Sequence, residues 1–302
     1  MTDLNSLMVF ARVVEAKSFS EAARRMKIPL STVSRRVAEL EKQLGVRLIE
    51  RSTRRLRLTD VGSEVFEQGK HSVEISEAVN NIASNHLSTV SGELRLAAPP
   101  SISDSLLAPL VGAFQASYPN VRIQVFITDR IVDQIAEGVD LAFRVDPQLK
   151  DSSLIARKIL TYRHQLVASP AYLARRKPPQ KTQDLLQHRL LAFSFWKPMN
   201  VWSFVNGKKK ETLTFRPHLS MNDYAGLAAA LLAGTGIGDL PPLVQPELLR
   251  DGRLVEIMPD WRFATFYLWL AHTGNRFLTR PVRLFKEFAA QRAPTLFPKL
   301  PT

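Results

Sequence analysis

Two helical signals lie almost end to end near the N-terminus, and few arrangements of chain accept that. Ser18, with Glu21 three residues on, reads as a capping box opening a short helix. Pro29 stops that helix. Ser31 reads as the N-cap of the next helix and Gly45 as its end. Within it Val33, Val37, Leu40 and Leu44 recur at steps of 4, 3 and 4. Upstream, residues 4–16 place Leu4, Leu7, Met8, Ala11, Val13 and Val14 near one helical face. Three helices with a tight break between the second and third predict a helix-turn-helix. The following RLIERSTRRLRLT alternates Leu48, Leu56 and Leu58 about a polar Ser52–Thr53 tip, which predicts a two-stranded wing.

Charge agrees with a polyanionic partner. The 302 residues carry 41 Lys and Arg against 28 Asp and Glu, a formal +13. Residues 1–58 hold 13 against 6, residues 59–91 hold 1 against 5, and residues 92–302 hold 27 against 17. The helix-turn-helix is therefore the densest basic unit. With Val33, Val37, Leu40 and Leu44 buried, Ser34, Arg35, Ala38 and Lys42 face outward, flanked by Thr32 and Arg36. Small polar residues with arginines suit the major groove, where Arg spans guanine O6 and N7 or grips phosphate. Arg51, Arg54, Arg55 and Arg57 alternate along the wing and are placed to reach phosphate or the minor groove.

Residues 59–89 predict one helix of about 28 residues, capped by Thr59 or Asp60. Its apolar stripe is sparse and its surface acidic, which fits pairing with a copy of itself; packing on its own domain is the alternative. From residue 93 strands and helices alternate. ELRLAAP, VRIQVFIT, VDLAFRV, QLVASP, LLAFSF, a hairpin at Asn206–Gly207, IGDLP and FATFYLWLAHT read as strands. Helices are expected near 104–117, 130–137, 223–233 and 279–291. That order predicts an open, largely parallel sheet, and about 210 residues suffice for two small α/β lobes.

Several classes of function drop out. There is no cysteine, so no thiolate metal site, thiol nucleophile or disulfide. The longest charge-free apolar stretch, Ala225–Gly238, has 14 residues, short of the roughly 20 a membrane span needs. The N-terminus reads as carrying no signal peptide, since Arg12 and Glu15 break its apolar run; a cytoplasmic protein is the expectation. The glycines of Gly234–Gly238 follow a helix and precede a strand, the reverse of a dinucleotide-binding loop. Lys208–Lys210 reads as an exposed hairpin tip. His71, His86, His164, His188, His218 and His272 show no close metal-ligand spacing, so neither metal nor cofactor is expected. No nucleophile elbow or phosphate loop supports an enzyme.

The run FARVVEAKSFSEAARRMKIPLSTVSRRVAELEKQLGVRLIERSTRRLRLTDVG resembles the winged helix-turn-helix of the LysR-type transcriptional regulators. GELRLAAP, DRIVDQIAEGVDLAFRV, DSSLIARKI, QLVASPAYLARR and AALLAGTGIGDLP are similar to that family's effector-binding domain. The resemblance implies a multi-domain α+β regulator of double-stranded DNA. Its parts would be a winged helix-turn-helix at 1–58, a dimerising linker helix at 59–91 and a two-lobed, periplasmic-binding-protein-like body at 92–302. Lobe I would take 92–161 and 268–302, and lobe II 162–267. It also implies a homodimer through 59–89, common assembly as a tetramer, and a small effector in the cleft. The DNA role transfers to Thr32, Ser34 and Arg35. At position 30 many relatives carry a polar residue; here Leu30 offers an apolar contact, for instance to a thymine methyl.

In the cleft, Ser101 follows a strand and opens a helix, so it reads equally as an anion contact or a plain N-cap. The resemblance adds Ile102 beside it. Arg144 and Val145 close the strand VDLAFRV; Arg144 reads equally as a carboxylate receptor or the partner of Asp129 or Asp146. From lobe II, Phe195, Trp196 and Asn222 resemble effector-contacting positions more loosely. Phe195, Trp196 and Arg144 together permit a small organic acid. His164, beside the expected lobe crossing, reads first as a structural histidine, with a pH sensor or an anion contact as the alternative.

Overall fold

The computed structural model describes residues 3–50, 56–86, 89–149, 153–274 and 278–302. The N-terminal head holds α1 (Leu4–Ala16), α2 (Phe19–Met26) and α3 (Leu30–Leu44). The Asp3 side chain accepts from the N–H groups of Asn5 and Ser6 to cap α1. Ser18 caps α2 by accepting from Glu21 N at 3.3 Å. The reciprocal half of the expected capping box is not made, because the Glu21 carboxylate pairs with Arg24 and Arg25 at 2.7 and 2.8 Å. Helix α3 starts one residue before the expected cap: the carbonyl of Pro29, not the Ser31 side chain, takes the N–H groups of Thr32 and Val33. Gly45 ends α3 in the left-handed conformation, φ +69°.

Helix α1 touches α2, α3 and the long helix that follows, so its buried face is wider than one stripe. Val9 and Phe10 are buried with Leu7, Ala11 and Val13, whereas Leu4 is 66% exposed. The wing pairs β1 (Ile49–Glu50) with β2 (Arg57–Leu58), antiparallel. Its base is tied to α3 by the Glu41 carboxylate, which accepts from Leu48 N and Ile49 N at 2.8 and 3.1 Å. Then comes α4 (Asp60–His86), with the Thr59 hydroxyl accepting from Gly62 N at 2.9 Å. At Gly62 this helix crosses the wing so closely that a Cβ would lie 2.0 Å from the Leu48 carbonyl oxygen.

The body begins with β3 (Gly92–Ala98), α5 (Ala108–Ser117), β4 (Val121–Ile127), β5 (Leu141–Asp146) and β6 (Leu154–Arg163). Next are β7 (Gln165–Ala168), α6 (Pro170–Leu173), β8 (Leu190–Phe193), β9 (Asn200–Asn206), β10 (Lys209–Phe215) and β11 (Leu219–Met221). The chain continues through α7 (Tyr224–Leu232), β12 (Ile237–Leu240), α8 (Glu247–Arg250), β13 (Val255–Glu256) and β14 (Arg262–Phe263). It closes with β15 (Thr265–Thr273) and α9 (Arg280–Leu296). One five-stranded sheet runs β4-β3-β5-β15-β6 and a second runs β11-β8-β12-β7-β13; a three-stranded sheet β10-β9-β14 flanks the second.

Both large sheets are mixed rather than largely parallel. β3 runs parallel to β4 and β5, but β15 is antiparallel to β5 and β6, and β7 is antiparallel to β12 and β13. The antiparallel members are the strands that carry the chain between sheets. It leaves the first sheet at Arg163, joins the second at Gln165, and returns through Ala264. Residues 130–137 are irregular up to 133 and then enter a turn at 134–138, not the expected helix. The Asp133 side chain accepts from Ala136 N, and Arg130 closes the loop with a two-pronged ion pair to Glu137. Strand β6 escapes sequence reading because Arg157 and Lys158 interrupt its alternation. Phe114 packs edge-on to Phe285 at 5.1 Å in the core between the first sheet, α5 and α9. The second lobe has two cores, one on each side of its sheet.

Candidate DNA-reading helix and inter-lobe cavity

Helix α3 divides along its length. Val33, Val37 and Leu40 are buried, while Leu30, Ser34 and Arg35 are exposed and Thr32 and Arg36 half-buried. The Arg35 guanidinium forms an exposed 3.1 Å pair with Glu39, one turn on. Such a pair contributes about 0.3–0.5 kcal/mol, so it orients Arg35 without holding it. At the N-terminal turn of α3, Leu30 is 46% exposed. The small side chains there leave its backbone able to approach a groove. Arg57 is exposed on β2; Arg51, Arg54 and Arg55 lie outside the described residues.

A cavity of about 290 Å³ lies between the lobes. The parallel strands β3, β4 and β5 deliver their carboxyl ends to it, as open α/β sheets do at ligand sites. Lobe I lines it with Ala98, Ser101, Thr128, Asp129, Arg144, Val145 and Asp146. Lobe II adds Phe193 at the end of β8 and Asn222, Asp223 and Tyr224 where α7 begins. The crossing strands supply Tyr162, His164 and Phe266 at its floor.

Four of the seven residues expected in the cleft meet there: Ser101, Arg144, Val145 and Asn222. Ile102 does not line it; its side chain is fully buried in the lobe I core. Phe195 and Trp196 do not line it either. Strand β8 ends two residues earlier, so Phe193 faces the cavity, while Phe195 is 52% and Trp196 100% exposed. Ser101 is no simple N-cap: it lies inside a 3-10 turn, Pro100–Ile102, followed by a π-helical turn, Ser103–Leu107, before α5. One guanidinium nitrogen of Arg144 donates to the Val132 carbonyl at 3.2 Å, a contact that sequence reading did not foresee.

The floor carries the feature that sequence reading undervalued. His164 and Asp239 are both about nine-tenths buried, 2.9 Å apart through Nδ1 and Oδ2. The Tyr224 hydroxyl donates to the same Asp239 oxygen at 3.1 Å. A carboxylate accepts from both, so the network assigns a proton to His164 Nδ1. Burial, reinforced by Asp239, raises the Tyr224 phenol well above its ordinary range, and burial alone does the same for Tyr162. Both phenols stay neutral. His164 stacks on Phe266 at 4.7 Å, and Tyr224 on Phe193 at 4.5 Å. The signal available in the sequence was a histidine at the lobe crossing followed by a buried-strand aspartate in IGDLP.

Among the described residues no group of His, Asp or Glu side chains is arranged to hold a metal, and no helix is long and apolar enough to cross a membrane.

Comparison with known proteins places both regions. Residues 4–63 match the family model of bacterial regulatory helix-turn-helix proteins of the lysR family. Residues 88–294 match the LysR substrate binding domain. The chain is 30% identical over 296 residues to a probable HTH-type transcriptional regulator, LtrA, of Klebsiella pneumoniae, covering 97% of this chain and 96% of the relative. The solved structure of CrgA, a LysR-type regulator from Neisseria meningitidis, is similar with a TM-score of 0.62 and 29% identity, over 97% of this chain and 99% of that one. Full-length AphB, the Vibrio cholerae virulence activator, gives a TM-score of 0.60 and 29% identity over 96% and 99%. A DNA-reading head and an effector-binding body thus occur here in the order, and over the length, of these regulators, and the chain belongs to the LysR-type transcriptional regulators, a family of DNA-binding, oligomer-forming proteins rather than enzymes.

Proposed function

We propose that this regulator reads an operator through the N-terminal half of α3. Thr32, Ser34 and Arg35 meet base edges, Leu30 makes an apolar contact, and Arg36 with Arg51, Arg54 and Arg55 of the wing grips the backbone. The observation that carries this reading is the exposed, small-residue face of α3 over a fully buried stripe. The units are the head at 1–58, the linker helix at 59–91 and the body at 92–302. Two copies pair through residues 59–89 and pairs assemble as tetramers, in the cytoplasm. Two readers related by symmetry then meet half-sites one or more helical turns apart.

The effector occupies the inter-lobe cavity, where Ser101, Arg144, Val145 and Asn222 converge. It is a small molecule with an acidic group at the Arg144 end. Binding favours one arrangement of the lobes, which shifts the spacing of the readers and thereby DNA bending. The test is a promoter reporter with Ser101→Trp, which fills the cavity from lobe I. Loss of inducer response with operator binding retained supports the reading; an unaltered response places the effector elsewhere.

A further inference from the structure

We infer that the floor of the inter-lobe cavity takes a hydroxyl group of the effector, which donates to His164 Nε2 and accepts from the Tyr162 hydroxyl. The effector is then a small hydroxy acid. This rests on the cavity being the effector site. Tyr162 and His164 lie two residues apart where the chain crosses between the sheets, so both side chains fall on one face. Their rings are parallel within 8°, with centroids 6.2 Å apart. Both residues line the cavity and both are deeply buried: Tyr162 is 1% exposed, and the His164 side chain 10%.

The protein uses neither polar tip. The Tyr162 hydroxyl has no hydrogen-bond partner among the described residues, although a buried tyrosine hydroxyl ordinarily finds one. His164 commits Nδ1 to Asp239 at 2.9 Å, and its Nε2 has no partner among the described residues. Neither atom is sealed inside the protein. The side-chain atoms that are both sealed and unpartnered belong to Gln134, Arg163 and His272. The open space that Tyr162 and His164 share is the cavity. Asp239 fixes the proton on Nδ1, which leaves Nε2 a bare acceptor. Burial keeps the Tyr162 phenol protonated, so it donates. A group that satisfies both must bring a proton and a lone pair. A carboxylate offers Nε2 no proton. An ammonium offers the phenol no lone pair, and its charge is costly to bury beside the Phe266 and Tyr224 rings that pack on His164. A hydroxyl brings both and is uncharged. With the acid at the Arg144 end, such a ligand reaches from β5 to the crossing itself, where the lobes are joined.

The experiment is thermal shift and calorimetry on the full-length protein at pH 7.5. The probes are 4-hydroxybenzoate, benzoate and 4-methoxybenzoate, with 3-hydroxybutanoate, butanoate, 3-methoxybutanoate and 3-aminobutanoate. A hydroxy acid is expected to bind about tenfold or more tightly than its deoxy acid and than its methyl ether, which keeps the lone pair and loses the proton. Tyr162→Phe keeps the ring and removes the hydroxyl. It should erase that preference, leave deoxy-acid affinity within about twofold, and leave the unliganded melting temperature unchanged or raised, since no protein partner is lost. A melting temperature that falls in Tyr162→Phe reveals a protein partner for the hydroxyl and overturns the inference. So does a deoxy acid or methyl ether that binds as tightly as its hydroxy acid, 3-aminobutanoate binding more tightly than 3-hydroxybutanoate, or no binding by either hydroxy acid. The Ser101→Trp variant separates the two failures. Acid binding lost in that variant, with no hydroxyl preference in wild type, keeps the cavity as the effector site and removes only the floor contact. Binding of any probe that survives it removes the cavity reading itself.

Discussion

Replacing Arg35 by Ala separates reading DNA from holding the head together. Its side chain is 66% exposed, and Glu39, with which it pairs, is 53% exposed. Losing that pair costs about 0.3–0.5 kcal/mol, and alanine's higher helix propensity offsets part of it. The stability of the head should therefore change by less than about 0.5 kcal/mol. A bidentate contact from Arg to guanine discriminates by about 1–3 kcal/mol. At 1.4 kcal/mol per tenfold, that is a loss of roughly 5- to 150-fold in operator affinity. Fluorescence anisotropy with a labelled operator, beside urea denaturation of the same preparations, measures both numbers. Salt dependence adds a further discriminator. A lost base contact leaves the slope of log affinity on log salt unchanged, whereas a lost phosphate contact lowers it by about 1. Operator affinity within twofold of wild type refutes the assignment of α3 as reader. A large fall in stability refutes the claim that Arg35 faces away from the core.

Two further outcomes follow from packing and burial. Gly62→Ala drives a Cβ into the Leu48 carbonyl and backbone, which cannot swing aside as a side chain can; the head should lose about 3 kcal/mol or more, read as an early urea transition with the body's transition unmoved. His188 and His272 both have pKa values lowered chiefly by burial. The unfolded chain therefore binds more protons below about pH 6.5, so stability held above that pH is lost as the pH falls through it. Urea midpoints at pH 8 and pH 5.5 measure the loss. His188→Gln should flatten the dependence, since the neutral amide has no proton to gain.

Much of the head was legible because its signals are local. Ser18, Pro29 and Gly45 punctuate the helices, and a 3.6-residue period marks the faces. What was missed there came from neighbours. Val9 and Phe10 are buried because α1 packs against α2, α3 and α4 together, so its buried face is wider than the single stripe periodicity picks out. In the body, β3, β5, β12 and β15 were readable from their apolar runs, but β6 was not, because its Arg157 and Lys158 sit on solvent-facing positions. The cavity was legible where a strand end meets it, as at Arg144 and Val145. It was illegible where partners come from distant segments. Nothing local to Asp129, Asp223, Tyr224 or Asp239 marks them; the turn at 128–130 and the caps of the second lobe bring them together with His164. Phe195 and Trp196 failed for a simpler reason, a strand two residues shorter than its apolar run.

The most direct test is a genome-wide map of DNA occupancy in the native cell for wild type and for Arg35→Ala at equal protein level. The account predicts discrete peaks for wild type, beside a limited set of promoters, that vanish in the variant while the protein remains folded. Peaks that persist unchanged in Arg35→Ala, or a flat wild-type map at raised expression, contradict it.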